Sequence, residues 1–117
     1  MPIVRSNVAK ESALMREEAM WRSVACDALR KGKRLELRYD HFLRVVEVHT
    51  VGVTTAGNEA MSVYQVRGGS DSNERVGWKT MRLDEAFTAA VINEESEAPR
   101  AGYKRGAKIF SQIYCQI

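Results

Sequence analysis

Two arginines, a histidine and a tyrosine have side chains that could together bind an anionic group. They are Arg44, His49, Tyr64 and Arg82. A guanidinium group can hold a phosphate through two parallel hydrogen bonds, and a tyrosine offers an aromatic face or a hydroxyl. If neighbouring strands bring these four side chains into one pocket, they predict a binding site for a phosphate-bearing ligand.

The two arginines also have a structural interpretation. An arginine on a strand face is more often solvated than functional. Arg44 and Arg82 would then pair with a nearby carboxylate, either Glu47 or Asp84. On residue type alone, this interpretation is favoured over anion binding by about two to one.

His49 and Tyr64 have structural alternatives as well. In a regular strand His49 shares a face with Glu47, two residues earlier. This spacing favours an imidazole–carboxylate hydrogen bond at least as strongly as a ligand contact. Tyr64 and Trp78 are each more typical of a core or rim aromatic than of a stacking platform. The residue types alone therefore leave both interpretations open.

Basic residues are unevenly distributed along the chain. The net charge is only +3, but residues 30–44 hold six basic and two acidic residues, and residues 100–108 hold four basic residues and no acidic one. Basic surfaces favour anionic partners, so single-stranded nucleic acid is an alternative ligand. The candidate nucleic-acid contacts are Arg34, Arg38, Arg100 and Lys104.

The sequence offers little for catalysis. It has two histidines, no serine or cysteine in a nucleophile context, and a Gly68-Gly69 pair that lacks the Lys-Ser/Thr of a phosphate loop. Glu47, His49 and Asp84 would be too few ligands for a metal site. We therefore expect a binding protein rather than an enzyme, with no catalytic residue, no cofactor and no metal.

The two cysteines and the N-terminus bear on localisation. Cys26 and Cys115 are far apart, and we interpret both as small core residues of a reduced compartment, not as a disulfide or a zinc site. The opening residues lack the apolar region of a signal peptide, and no window approaches the ~18 apolar residues of a membrane span. The sequence therefore predicts a cytoplasmic protein without a membrane partner.

The elements that would position the candidate residues follow a simple order. The chain of 117 residues is interpreted as one domain. Residues 1–32 are predicted to form an N-terminal helix with Gly32 at its C-terminal cap, and residues 33–93 to hold the strands. Residues 94–117 are predicted to be a linker and a C-terminal helix, because apolar residues recur there at helical spacing.

Alternation of apolar and polar residues predicts about five antiparallel strands. The first begins at Arg34, and the second, Phe42 to Val53, has apolar residues on both faces, so it should bend or be covered on both sides. Residues 67–77 read as an exposed polar loop, a common place for binding. Short strands joined by hairpins favour a small open barrel, which gives a mainly β protein with flanking helices, or α+β.

The order of several motifs resembles that of a known family. The runs ALRKGKRLELRYD, RVVEVHTVGV, SVYQV, GWKTMRLDEA and APRAGYKRGAKIF are similar to those of stand-alone WYL domains, and the resemblance covers about residues 25–117. The resemblance implies a five-stranded Sm-like open barrel that senses ligands. Such barrels are usually attached to DNA-binding domains of bacterial transcription regulators or to nucleic-acid enzymes of phage defence. Their proposed ligands are nucleotides or single-stranded nucleic acid.

The resemblance also singles out the four candidate residues. The family's R-x-V-x-P-H element falls on residues 44–49, its Trp-Tyr-Leu name motif on 63–65, and its F-R-L-D-R element on 81–85. The chain departs from the pattern at Val48, where the family has proline, and at Glu85, where it has a second arginine; the name motif keeps only its tyrosine. The implied ligand-binding residues are Arg44, His49, Tyr64 and Arg82.

Three functions follow as hypotheses. The first is a regulatory module that recognises an anionic, nucleotide-like or nucleic-acid ligand and acts on a protein partner. The second is binding of single-stranded nucleic acid through the basic surface. The third is a structural interaction domain, whose homodimer or hetero-oligomer interface would comprise Trp21, Ile109, Ile113 and Ile117.

The first hypothesis requires that Arg44 and His49 face the same pocket. In a regular strand Arg44 and His49 lie on opposite faces. A common pocket therefore requires a bulge or sharp twist between Val45 and Val48.

Overall fold

A computed structural model describes residues 20–117 of the protein. A helix, α1, covers residues 20–31 and ends at Gly32, which has the left-handed φ of 64° expected of a C-terminal cap. The part of the predicted helix before residue 20 lies outside the described residues. Within residues 20–117, no helix is long and apolar enough to cross a membrane.

Six antiparallel strands follow α1 and form one sheet. They are β1 (Lys33–Tyr39), β2 (Phe42–Thr54), β3 (Glu59–Gly68), β4 (Gly77–Arg82), β5 (Phe87–Glu95) and β6 (Phe110–Gln116), with a short 3-10 turn, Leu83–Glu85, before β5. The strand order is β4-β3-β2-β1-β5, and β6 pairs with β2 outside this path. The prediction of a mainly β protein with antiparallel strands is confirmed, whereas the sheet has six strands instead of five and is not closed.

The 13-residue strand β2 organises the sheet. β3 pairs with residues 44–53 of β2, while β1 pairs with residues 42–46 and β6 with residues 50–54. β1 and β6 therefore divide one edge of β2 between them, and the change of partner occurs around Glu47 to His49. Residues 44–52 of β2 are all buried, which confirms that this strand is covered on both faces.

The predicted C-terminal helix is wrong, because residues 110–116 form β6. The apolar spacing that suggested a helix comes from a bulge: β6 pairs Cys115 with Val51 but Ile113 with Gly52, so the alternation breaks at Tyr114. The free edge of β2 offers hydrogen-bonding partners to an extended segment, and this long-range pairing outweighs the local helical pattern.

The interpretation of the cysteines as separate thiols is also wrong. Cys26 in α1 and Cys115 in β6 form a disulfide, with their Cα atoms 6.0 Å apart. Both are buried in the hydrophobic core beside Ala25 and Ala28, whose small side chains let α1 approach the sheet closely. Disulfides persist mainly in oxidising compartments, so the prediction of a cytoplasmic protein loses the support it drew from two reduced thiols.

Candidate functional site

The four predicted ligand residues fall into two groups. Arg44 and Arg82 meet at Tyr39: the Arg44 guanidinium lies 5.3 Å from the centre of the Tyr39 ring, and the Arg82 backbone N–H donates to the Tyr39 hydroxyl at 3.2 Å. Burial has a larger effect than hydrogen bonding on the acidity of the Tyr39 hydroxyl, and it raises the pKa of Tyr39.

His49 and Tyr64 meet instead at Arg100. The Arg100 backbone N–H donates to Nε2 of His49 at 3.0 Å, and its guanidinium lies 4.7 Å from the centre of the Tyr64 ring. The edge of Trp78 packs against both rings. Tyr39 thus contacts Arg44 and Arg82, whereas Arg100 contacts His49 and Tyr64. The four predicted residues therefore do not form a single pocket.

The course of β2 explains this division. The extra residue of β2 opposite β3 is His49 itself, since Val48 pairs with Val63 and Thr50 with Ser62. The other irregularity, at Val45 and Val46, inserts its extra residue in β3. No extra residue of β2 lies between Val45 and Val48. The His49 ring packs against Trp78 and Tyr103, whereas Arg44 contacts Tyr39 and Gln65, so the two side chains do not share a pocket.

His49 is a buried structural residue. Its Nε2 accepts from Arg100, so Nδ1 carries the proton and donates to the Glu47 backbone carbonyl at 3.0 Å. The predicted contact with Glu47 therefore exists, but through the main chain instead of the carboxylate. Burial lowers the pKa of His49, which keeps the ring neutral.

The Glu47 carboxylate is the centre of an ion network that holds the segment after β5. It is completely buried and accepts from Arg34 Nε at 3.0 Å, Arg100 Nε at 2.6 Å and the Glu97 backbone N–H at 2.7 Å. Burial alone would raise the pKa of Glu47, but the hydrogen bonds from Arg100, Glu97 and Arg34 outweigh it and the pKa is lowered. The network fastens residues 97–100 over β2.

The proposed nucleic-acid contacts do not form one free basic surface. Arg34 and Arg100 are engaged by Glu47, and their side chains are mostly buried. Arg38 and Lys104 are exposed. Two of the four cations are thus already paired with carboxylates, because Arg34 also contacts Glu94 and Arg100 also contacts Glu97.

A cavity beside these arginines is also lined by guanidinium groups that already have carboxylate partners. It measures about 310 Å³ and is lined by Arg34, Tyr64, Arg67 and Arg100 among others. Arg67 holds Glu94 through two hydrogen bonds of 2.7 and 2.5 Å, which keep the pKa of Glu94 at about 2. Each of its three guanidinium groups already has a carboxylate partner.

Arg82 fits its structural interpretation. Its guanidinium is exposed and binds Asp84 through two hydrogen bonds of 3.0 and 2.6 Å. A chelating carboxylate raises the pKa of Arg82 and competes with any external anion.

Arg44 differs from the other arginines because it is almost completely buried and its carboxylate partner, Asp40, is too far away for a hydrogen bond. It is only 3% exposed. Its Nε donates to the Tyr39 carbonyl at 3.1 Å and its Nη1 to Gln65 Oε1 at 3.3 Å. The remaining nitrogen, Nη2, makes no hydrogen bond with residues 20–117 and lies 3.8 Å from Asp40 Oδ2.

A second cation, Lys79 of β4, faces the same cavity as Arg44. Its Nζ lies 3.3 Å from the hydroxyls of both Ser70 and Ser72. Among the residues that the structure describes, no carboxylate forms an ion pair with it. Hydroxyl groups solvate an ammonium but do not neutralise it, so its full charge acts on the cavity.

We call this cavity the Arg44–Lys79 pocket. It has a volume of about 240 Å³, and its polar lining includes Asp40, Arg44, Ser70, Asp71, Ser72 and Lys79. The loop after β3 forms one wall. Gly68 approaches the backbone of Leu43 and Arg44 too closely for any side chain, and Gln65 Nε2 donates to the Gly69 carbonyl at 3.0 Å. Gln65 thereby joins this loop to Arg44.

The sequence pointed to Arg44 and to this loop but not to Lys79, Ser70 or Ser72. The hydroxyl-rich run that follows Gly68 was a signal for such a site. Nothing in the sequence showed that Lys79 of β4 would lie beside this loop.

Within residues 20–117, no group of three His, Cys, Asp or Glu side chains is placed to hold a metal ion. No model of a known family, no characterised protein and no solved structure shows significant similarity to this chain.

Proposed function

We propose that this protein is a regulatory binding module that recognises a phosphate-bearing ligand in the Arg44–Lys79 pocket. The observation that carries the proposal is the pair of cations there. Arg44 is almost completely buried with Nη2 lacking a hydrogen bond among the described residues, and Lys79 has only hydroxyl partners. A buried cation is costly unless it is paired, so an oxyanion between the two would be stabilised by both.

The serine hydroxyls add to the support. Ser70 Oγ and Ser72 Oγ lie 2.9 Å apart, and both contact Lys79 Nζ. A phosphate at this point could accept from two hydroxyls, an ammonium and a guanidinium, which are the groups that bind phosphates most often.

The resemblance to WYL domains supports the same class of ligand. In that family Arg44 corresponds to the arginine of the R-x-V-x-P-H element, and the ligands proposed for these Sm-like barrels are nucleotides or nucleic acid. We therefore include ligand-dependent regulation, through altered association with a protein partner, in the proposal.

Calorimetric titration with a panel of nucleotides and short oligonucleotides tests the proposal. Lys79→Gln should weaken binding roughly 10- to 100-fold, since hydrogen bonds to charged groups contribute about 1.5–3 kcal/mol. Lys108→Gln, which removes an equal charge from an exposed site away from the pocket, is the matched control and should bind normally. The proposal fails if no phosphate compound binds, or if Lys79→Gln binds as tightly as the unmodified protein.

The basic-surface hypothesis makes a different prediction in the same experiment. Exposed Arg38 and Lys104 favour it, whereas engagement of Arg34 and Arg100 by Glu47 weighs against it. It requires an affinity for single strands that falls steeply with salt and does not depend on Lys79.

The interaction-domain hypothesis has less support. Of its four apolar residues, Ile109 is exposed while the others are partly buried. Light scattering at high protein concentration would detect self-association, and a monomer would count against a homodimer.

A further inference from the structure

We propose that the ligand of the Arg44–Lys79 pocket carries a sugar diol next to its phosphate, so that the pocket prefers ribose phosphates to their deoxyribose counterparts. This inference rests on the proposed function of the same pocket. It comes from the two carboxylates in the lining, Asp40 and Asp71, which a site for phosphate alone does not need.

Neither carboxylate accepts a hydrogen bond from residues 20–117. Among residues 20–117, Asp71 takes part in no hydrogen bond or ion pair, and the nearest cation to Asp40 is Arg44 Nη2 at 3.8 Å. Both are therefore free to accept hydrogen bonds from a ligand. The independent sign that this cavity holds a ligand is Arg44, which is nine-tenths buried and has one nitrogen without a hydrogen bond.

Carboxylates beside an anion site select against a simple anion. Each adds a negative charge near the bound phosphate and so weakens it. They become favourable when the ligand presents hydroxyl donors, as in dinucleotide-binding folds, where an acidic residue holds the ribose hydroxyl. A site that combines two cations, two serine hydroxyls and two carboxylates is thus suited to a molecule with an anionic end and a hydroxyl end.

The size of the pocket agrees with this ligand. About 240 Å³ corresponds to roughly eight water molecules at the volume that water occupies in the liquid. Such a space can enclose a phosphate with one sugar ring, while the base of a nucleotide would extend out of its open mouth.

The hairpin turn between β1 and β2 fixes the position of Asp40. Asp40 and His41 form the two-residue turn between β1 and β2, and both have left-handed φ values, 48° and 67°. This is the conformation of a type I′ turn, for which glycine is preferred at the second position. The turn holds the Asp40 carboxylate at the edge of the pocket beside Arg44.

The test compares three probes by calorimetry: inorganic phosphate, ribose 5-phosphate and 2-deoxyribose 5-phosphate. We expect ribose 5-phosphate to bind roughly 10- to 100-fold more tightly than the deoxy compound, the value of one hydrogen bond to a charged acceptor. Asp71→Ala should remove most of this preference and at the same time strengthen the binding of inorganic phosphate, because it removes a like charge. Asp27→Ala, which removes an equal charge from the surface of α1, should change neither.

The outcomes separate this inference from the function on which it rests. Binding of all three probes with equal affinity, still dependent on Lys79, overturns the diol inference and leaves the phosphate site intact. Asp71→Ala weakening all three probes alike also overturns it. Failure of every probe to bind overturns both proposals.

Discussion

The Cys26–Cys115 disulfide is expected to contribute strongly to the free energy of unfolding. It closes a loop of 89 residues between α1 and β6, and the chain-entropy model assigns such a loop about 4.6 kcal/mol at 25 °C. A domain of this size is typically stable by about 5–15 kcal/mol. Breaking this one bond should therefore remove a third or more of the free energy of unfolding.

Urea denaturation followed by circular dichroism, with and without a reductant, measures this effect. With a slope of about 1–2 kcal/mol/M, the midpoint should fall by roughly 2–5 M urea on reduction. Cys26→Ala, Cys115→Ala and the double variant should be equally destabilised and insensitive to reductant, because either change breaks the same bond.

A thiol titration of the unfolded, unreduced protein provides the control. It should detect no free thiol. Two titratable thiols, or a midpoint that reductant leaves unchanged, would refute the reasoning and restore the interpretation of both residues as core thiols.

Three further predictions concern β2 and its turn. Glu47→Gln removes the buried carboxylate that Arg34 and Arg100 share, although these arginines keep Glu94 and Glu97, and it should cost about 1.5–3 kcal/mol by urea denaturation; a loss below about 0.5 kcal/mol would contradict the central role of this network. Because the pKa of His49 is lowered in the folded state, the unfolded chain takes up a proton first, so stability should decline as pH falls below about 6.5 and further below about 4.5 as Glu47 titrates. A urea midpoint that is flat from pH 8 to 4 would exclude this linkage. His41→Gly should stabilise the protein by about 1 kcal/mol, since φ is 67° there, and a destabilised variant would argue against the type I′ turn.

Local pattern was sufficient to predict much of the sheet. The alternation of Leu35, Leu37 and Tyr39 predicted β1, and all three are buried. The predicted hairpin connections include the one from β2 to β3, which the Thr54 N–H closes by donating to the Asn58 carbonyl at 2.9 Å. These features are set by neighbours in the chain, so the sequence carries them directly.

The two wrong predictions, the C-terminal helix and the separate cysteine thiols, both involve contacts between distant segments of the chain. The β6 residues show an apolar spacing compatible with a helix, and only the unfilled edge of β2 makes them a strand. Cys26 and Cys115 are 89 residues apart, and only the packing of α1 over β6 brings them together. Such pairings depend on strand order, which no local periodicity encodes.

The candidate site depends both on local sequence pattern and on tertiary contacts. The sequence by itself indicated that Arg44 and His49 would lie on opposite faces of a regular strand, because side chains alternate with a period of two. It also indicated a polar loop after β3. Only the tertiary structure decided where the bulge falls, which arginines Glu47 and Asp84 neutralise, and which cations are left for a ligand. Arg44 and Lys79 share a pocket because β3 lies between their strands and its loop folds back over them, and electrostatic pairing depends on distance in space, not along the chain.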